Sequence, residues 1–398
     1  MHPSNEIKGI KDDALAGKRI VLGITGSIAA VETVKLAREL IRRGAEVYPV
    51  LSPAATKIVH PDSLGFATGK RPITELTGAV EHVALCGDVE GHADLLLIAP
   101  STANTISKIA CGIDDTPVTT FATTALGTGI PLMIVPAMHA TMYDNPAVMR
   151  NVERLKKMGV DFVGPRFEEK KAKIAGIYEI VSAVVRRIGK KDLRDTRVLV
   201  IGGATSEPVD DMRVISNRSS GRTGIELAVE AYERGADVKL LLGKGSERPP
   251  EWIKTDYFTD VESLISMLDE PDYDMILVPA AISDYTPERK EGKIPSGMEE
   301  LVIRLRPTPK VIEHIRKNYE GILVAFKAES VESTEELIKR AERRAKESSA
   351  DIIVANRLSD VTHDSTKAFI INGSSVRGFE GSKKELAGAI MDEAVSLL

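Results

Sequence analysis

The sequence predicts an α/β protein built from two parallel-sheet domains, and three observations carry that prediction. Apolar, strand-like runs alternate with amphipathic helical stretches along the chain. The runs LLLIA at 95–99 and LMIV at 132–135 are apolar throughout, as strands covered on both faces should be. A strand–turn–helix opening also occurs twice. The first runs from Lys18 to Leu51 around Gly26, Ser27, Ile28 and Ala29. The second starts near the midpoint, where strand 197–201 leads through Gly202, Gly203, Ala204 and Thr205 to SNRSSGRTG at 216–224. Two such phosphate-binding starts imply two active sites serving related substrates.

The elements follow in order. Residues 1–16 are polar without clear periodicity and read as a loose tail. The first domain, 17–189, opens with strand 19–25 and a helix over 31–43, apolar at Val34, Leu36, Ala37, Leu40 and Ile41 and closed by Gly44. Strands are expected at 46–51, 94–99, 131–135 and 160–163. A short charged segment, Ile188 to Asp195, holds the boundary. The second domain, 190–398, has strands expected at 197–201, 237–242, 275–278, 323–325 and 351–354, with helices between. Ser333 and Glu336 fit a capping box opening a helix with Leu337, Ala341 and Ala345 on one face.

Composition narrows the function. At 398 residues each domain can bury a sizeable core. A formal net charge of −5 and 4% aromatics argue against nucleic-acid binding. No apolar run reaches the roughly 18 residues of a membrane span, and the start MHPSNEIKG lacks a signal peptide's apolar region. Two cysteines, Cys86 and Cys111, make neither a disulfide framework nor a four-ligand zinc site. The expectation is a cytoplasmic enzyme.

A nicotinamide dehydrogenase fits poorly. Neither turn has the G-x-G-x-x-G spacing, and neither second strand ends in the acidic residue that would hold a ribose. Instead, Ser27 opens the first helix, Ser52 ends the next strand, and PSTANT (100–105) follows the LLLIA strand. Small hydroxyl and amide groups after three parallel strands suit a mononucleotide phosphate and its ribityl chain. Each serine alone reads more simply as a helix cap.

GSIAA (26–30), PSTANTISKIACGIDD (100–115) and PAMHATMYDNP (136–146) resemble the flavin-binding, homo-oligomeric cysteine decarboxylases. The resemblance implies FMN held by Gly26, Ser27, Ile28, Ser52, Thr102, Ala103, Asn104 and Thr105. It implies catalysis by His82, in GAVEHVAL (78–85), where a surface histidine is the bland alternative. The family's PAMN signature is PAMH here, so His139 stands where an asparagine would help hold the substrate carboxylate. Bacterial members carry a proton-donating cysteine in a substrate clamp. The matching stretch, 164–175, has none, leaving Lys171, Lys173, Cys86 or Cys111 as candidates.

Residues 195–398 resemble phosphopantothenate–cysteine ligases, through SNRSSG (216–221) and AAISDY (280–285). The resemblance assigns Asn217 to substrate and acyl-nucleotide, and Ser219, Ser220 and Gly221 to the substrate phosphate. Gly203, Asp284, Lys293, Pro309, Lys310, Val311, Phe326, Lys327 and Arg344 fall to the nucleotide. Pro295 and Ser296 replace two lysines of the bacterial K-x-K-K element, a form closer to the ATP-using eukaryotic ligases, whereas the fusion of two domains is a prokaryotic arrangement; CTP is therefore expected with ATP possible, alongside Mg²⁺. No metal ligands are assigned.

Together the halves resemble the bifunctional coenzyme A biosynthesis proteins, which implies ligation of 4′-phosphopantothenate to cysteine and decarboxylation of the product to 4′-phosphopantetheine. The family's arrangement implies a trimeric decarboxylase core with paired ligase domains, an assembly of up to a dodecamer, and small-molecule partners only. The rival readings are a live ligase on a flavin-binding platform, and a non-catalytic regulator.

Overall fold

The computed structural model describes residues 2–168, 171–268, 272–297 and 299–398. The chain divides into two compact units, Met1–Lys190 and Lys191–Leu398.

In the first unit the strands are β1 (Arg19–Ile24), β2 (Glu46–Leu51), β3 (Leu95–Ser101), β4 (Leu132–Pro136), β5 (Met138–His139), β6 (Asp161–Phe162), β7 (Arg166–Glu168) and β8 (Lys171–Lys173). The main sheet runs β2-β1-β3-β4-β6 and is parallel throughout. Its two faces enter different cores. Leu95, Leu97, Met133 and Val135 face one, while Leu96, Ile98, Leu132 and Ile134 face the other. That alternation explains why these strands read as unbroken apolar runs. β5, β8 and β7 form a small antiparallel sheet, which the sequence analysis did not foresee.

Residues 2–16 are not the loose tail expected of residues 1–16. Leu15 is fully buried in the core, and the N–H groups of Gly9, Lys11 and Leu15 donate to the carbonyls of Ile41, Arg42 and Arg43 at 2.8–3.1 Å. The last carbonyls of helix Thr33–Arg42 lack partners within the helix, and this segment supplies them. Before that helix, the chain makes a 3₁₀ turn over Ile28–Glu32 rather than α-helix from residue 31.

The second unit adds β9 (Arg197–Gly202), β10 (Ser206–Pro208), β11 (Val214–Ser216), β12 (Asp237–Gly243), β13 (Lys254–Phe258), β14 (Met275–Val278), β15 (Tyr285–Pro287), β16 (Leu305–Pro307), β17 (Ile322–Glu329), β18 (Ile352–Arg357), β19 (Ser365–Asn372) and β20 (Ser375–Ser382). Its main sheet runs β13-β12-β9-β14-β17-β18-β19-β20. The first six strands are parallel, but β19 and β20 are antiparallel, so this sheet is mixed. The capping box at Ser333 is half made. Ser333 Oγ accepts from the Glu336 N–H at 3.4 Å, whereas the Glu336 carboxylate turns outward to Arg340. Leu337 and Ala341 are fully buried, as that helix's pattern predicts.

Candidate functional sites

In a parallel sheet, ligands gather beyond the carboxyl ends of the strands, where the strand order reverses. In the first unit the reversal falls between β1 and β3, the position at which flavodoxin-type sheets hold FMN. Thr25 knits this point together. Its Oγ1 donates to the Pro100 carbonyl at 2.8 Å and accepts from the Thr102 N–H at 3.1 Å. Sequence reasoning passed over Thr25, although a hydroxyl ending an apolar strand was its signal. Gly26 is required by close packing, because a Cβ there would lie 2.5 Å from that of Ala54.

A cavity of about 570 Å³ opens beside this turn, bounded by Ser27, Ile28, Met138, His139, Arg166 and Lys173 among others. Apolar walls with a few polar groups suit a flat aromatic ring. Ser27 heads the 3₁₀ turn yet makes no side-chain cap bond, so local structure does not use its hydroxyl. Ile28 is 78% exposed, an apolar side chain presented at the rim. His139 ends β5, with Nδ1 3.0 Å from Thr141 Oγ1. These residues fit a bound FMN.

Other expected residues lie outside that cavity wall. Ser52 Oγ accepts from the Ala55 N–H at 3.3 Å and acts as a local cap. Thr102 caps helix Ala103–Cys111 through the Thr105 N–H at 3.3 Å, with Asn104 exposed on the first turn. His82 lies on helix Glu81–Cys86, reached through Val80 in the left-handed region (φ 55°). Its ring meets Phe121 edge-on, and its Nδ1 is buried without a hydrogen-bond partner. Cys86 is fully buried, and burial pushes its thiol up to about 12. Cys111 is exposed at a helix end. Glu169, Lys170 and the side chain of Lys171 lie outside the described residues.

In the second unit the strand order reverses between β9 and β14, and the candidate residues crowd there. Gly203 has φ 81°, and any Cβ on it would strike Ser246 Oγ at 2.3 Å. Thr205 Oγ1 donates to Ser283 Oγ at 3.0 Å and accepts from the Ser283 N–H at 2.9 Å. The SNRSSG turn is docked on the same edge. Ser216 Oγ donates to the Thr205 carbonyl at 2.8 Å, and Asn217 Nδ2 to the Ala281 carbonyl at 3.1 Å. Asn217 therefore stands beside the segment carrying Asp284. Gly221, with φ 76°, opens helix Arg222–Glu233, while Ser219 Oγ and Ser220 Oγ accept from the N–H groups of Gly221 and Arg222. Three residues on, Gly224 lets the helix touch the strand, since its Cβ would fall 2.8 Å from the Gly202 Cα.

Asp284 is exposed and ion-paired with Lys310, which precedes helix Val311–Lys317. Such an open pair is worth little and yields readily to a ligand. The Thr308 N–H donates to the Asp284 carbonyl at 3.0 Å, which brings Pro309 and Val311 along. Phe326 and Lys327 sit near the end of β17, with Lys327 3.2 Å from Glu329. Arg344 pairs with Glu313 at 3.4 Å. Arg340, a turn nearer the helix start, is the one that reaches the end of β17, through Glu329.

Lys293 is exposed, but its neighbour Ile294 is anchored. The Ile294 N–H donates to Asp210 Oδ2 at 3.0 Å. Burial alone would raise the Asp210 carboxyl, yet the N–H groups of Ile294, Met212 and Arg213, with the Arg213 guanidinium, hold it down at about 2. Asp210 was missed because the partner that ties it to the Lys293 segment, the Ile294 N–H, lies 84 residues away in sequence.

Among the described residues no three His, Cys, Asp or Glu side chains group to hold a metal, and no helix is long and apolar enough to cross a membrane.

Comparison with known proteins places both halves. The family model for flavoproteins matches residues 9–189, and that for the DNA/pantothenate metabolism flavoprotein C-terminal domain matches 193–398. The chain is 47% identical over the whole of both chains to the coenzyme A biosynthesis bifunctional protein CoaBC of Thermococcus kodakarensis. It is 40% identical to the Methanocaldococcus jannaschii protein of the same name, covering all of this chain and 98% of that one. Against the Escherichia coli protein the identity is 31%, over 96% and 98%.

Proposed function

The chain belongs to the family of bifunctional coenzyme A biosynthesis proteins, with decarboxylase and ligase activities, and from that premise we propose how its two sites divide the work. The second unit joins 4′-phosphopantothenate to cysteine, and the first converts the product to 4′-phosphopantetheine.

In the ligase unit a carboxylate must be activated as an acyl-nucleotide before the cysteine amine attacks it. CTP is the nucleotide we assign, with Mg²⁺ bridging its phosphates as such ions commonly do. The turn at Ser219, Ser220 and Gly221 receives the substrate phosphate at the start of a twelve-residue helix. Asn217 orients the acyl-nucleotide. Asp284 and Lys310 open to admit the nucleotide, and Lys293 and Lys327 neutralise its phosphates, with Gly203, Pro309, Val311, Phe326 and Arg344 lining the approach. The observation that carries this reading is the bond from Asn217 to the Ala281 carbonyl, which brings the SNRSSG turn and the Asp284 segment to one strand edge.

In the first unit, FMN would be held by Gly26, Ser27, Ile28 and the segment from Thr102 to Thr105, with Ser52 shaping the loop beside them through its bond to Ala55. Bound FMN supplies reversible two-electron oxidation of the substrate's cysteine thiol, which turns that end into an electron sink for decarboxylation. His139 donates to the carboxylate, and the cavity walls exclude water. His82 acts as base or orienting group where the trimeric core that we assign to the decarboxylase units completes the site. Paired ligase domains extend that core to a larger cytoplasmic assembly.

The test is incubation with 4′-phosphopantothenate, cysteine, Mg²⁺ and either CTP or ATP, with products followed by mass spectrometry. Appearance of 4′-phosphopantetheine is the expected result, with CTP the productive nucleotide. Accumulation of phosphopantothenoylcysteine alone would leave only the ligase standing.

A further inference from the structure

We propose that Lys173 is the general acid of the decarboxylase, delivering a proton to the carbon that has lost carbon dioxide. The assignment rests on reading the first unit as the decarboxylase.

When the carboxylate leaves as carbon dioxide, the electron pair of the broken C–C bond stays behind, and a proton must take the place of the lost group. The donor has to reach the cavity and hold a proton it can release. Among the described residues, four ionisable side chains line the cavity: Glu32, His139, Arg166 and Lys173. Glu32 is ion-paired with Lys35 at 3.5 Å. A guanidinium does not give up its proton, and Arg166 Nε is bonded to the Ile174 carbonyl at 3.3 Å. His139 is committed to the carboxylate side of the substrate and touches Thr141. Lys173 is left, with three N–H donors on a flexible stem.

Its placement supports the role. β8 is the middle strand of the small sheet, between β5, which carries His139, and β7, which carries Arg166. Lys173 pairs directly with Arg166 across that sheet. A group gripping the carboxylate and a group supplying the replacing proton thus come from adjacent strands. The thiols are excluded by position, because neither Cys86 nor Cys111 lines the cavity, and Cys86 is fully buried.

The step balances. Oxidation by the flavin takes the cysteine side chain to a thioaldehyde, with two electrons and two protons removed. The C–COO⁻ bond breaks, and its electron pair moves through the carbon into the C=S group, giving an ene-thiolate and carbon dioxide. The Lys173 N–H bond breaks as a C–H bond forms at the carbon that lost carbon dioxide, which regenerates a C=S group. Bound FMN, reduced in the first step, would supply the hydride that converts this C=S group to a thiolate, and the thiolate takes a proton from solvent.

The experiment uses the full-length, FMN-loaded protein supplied with phosphopantothenoylcysteine. Carbon dioxide, flavin absorbance and product mass are followed. With Lys173→Gln, turnover is expected to fall by about a hundredfold or more. Carbon dioxide should be released once, the flavin should stay bleached, and the retained product should be two hydrogens lighter than the wild-type product. Lys173→Arg, which keeps the charge without a releasable proton, should stall in the same way. Lys173→Cys, which restores an acid, should recover part of the turnover even if the glutamine variant proves unstable. Wild-type turnover in the glutamine or arginine variant would overturn the assignment, as would a stalled, bleached state produced by Cys86→Ala or Cys111→Ala. A wild-type protein that releases no carbon dioxide would overturn the decarboxylase reading itself, and this assignment with it.

Discussion

Ser27 and Ser52 are alike in sequence, each a hydroxyl after an apolar strand, yet their surroundings divide their work. Ser52 is buried and caps its own loop through Ala55, whereas Ser27 lines the cavity and makes no cap bond. Ser27→Ala should therefore weaken FMN binding about tenfold to a hundredfold, the loss of one hydrogen bond to a charged phosphate, with little change in melting temperature. Ser52→Ala should instead cost about 1 kcal/mol of stability. Flavin fluorescence titration beside thermal melts separates the two, and equal effects on affinity would show that both hydroxyls serve the phosphate. Asn217→Ala should abolish ligation while leaving FMN content unchanged, read by product mass spectrometry and flavin absorbance on one preparation. A variant that still ligates would remove Asn217 from the proposed machinery.

At the scale of elements, what the sequence made legible and what it hid follow from the range of each interaction. β1 to β4 were readable because burial on both faces leaves an unbroken apolar run. The hairpin of β19 and β20 was not, since its exposed side alternates and its pairing is settled only against β18. SNRSSG was visible as a motif, whereas its dock on Ala281 spans 64 residues and shows only in the folded chain. Asp210 is the clearest such case. It joins the segment at Met212 and Arg213 to the segment carrying Lys293, by four hydrogen bonds that need its charge. Its carboxyl is held at about 2, below the ordinary value of about 3.9, so the tether is fully present above pH ~4 and is lost as pH falls toward about 2. Asp210→Asn should remove that acid dependence from the unfolding of the ligase unit. At neutral pH it should raise the nucleotide KM several-fold with a smaller change in kcat, because Lys293 loses its anchor. An unchanged acid limb, followed by circular dichroism, would show that Asp210 contributes no such tether.

Across the whole molecule, the two units share a design at both edges of their sheets. At the amino edge an aspartate before one strand receives an N–H from the first or second residue of its neighbour: Asp94 from Arg19 at 2.8 Å, Asp274 from Arg197 at 2.7 Å and Asp351 from Leu323 at 2.8 Å. At the carboxyl edge, a threonine after the first strand of each unit, Thr25 or Thr205, ties that strand to the loop across the switch point. Each unit also closes its own cores, for every core cluster draws its buried side chains from one side of Lys190 alone. Units of 190 and 208 residues are large enough to be stable on such cores. Separate expression of residues 1–190 and 191–398 should therefore yield two folded proteins. The first should keep FMN and release carbon dioxide from phosphopantothenoylcysteine, and the second should make that compound without any flavin. When the two are mixed, decarboxylation should lag behind ligation only by the time needed for the intermediate to build up in solution. An intact chain that shows the same lag would exclude direct transfer between its sites, whereas loss of folding in either half would mean that the cores depend on one another despite being separately closed.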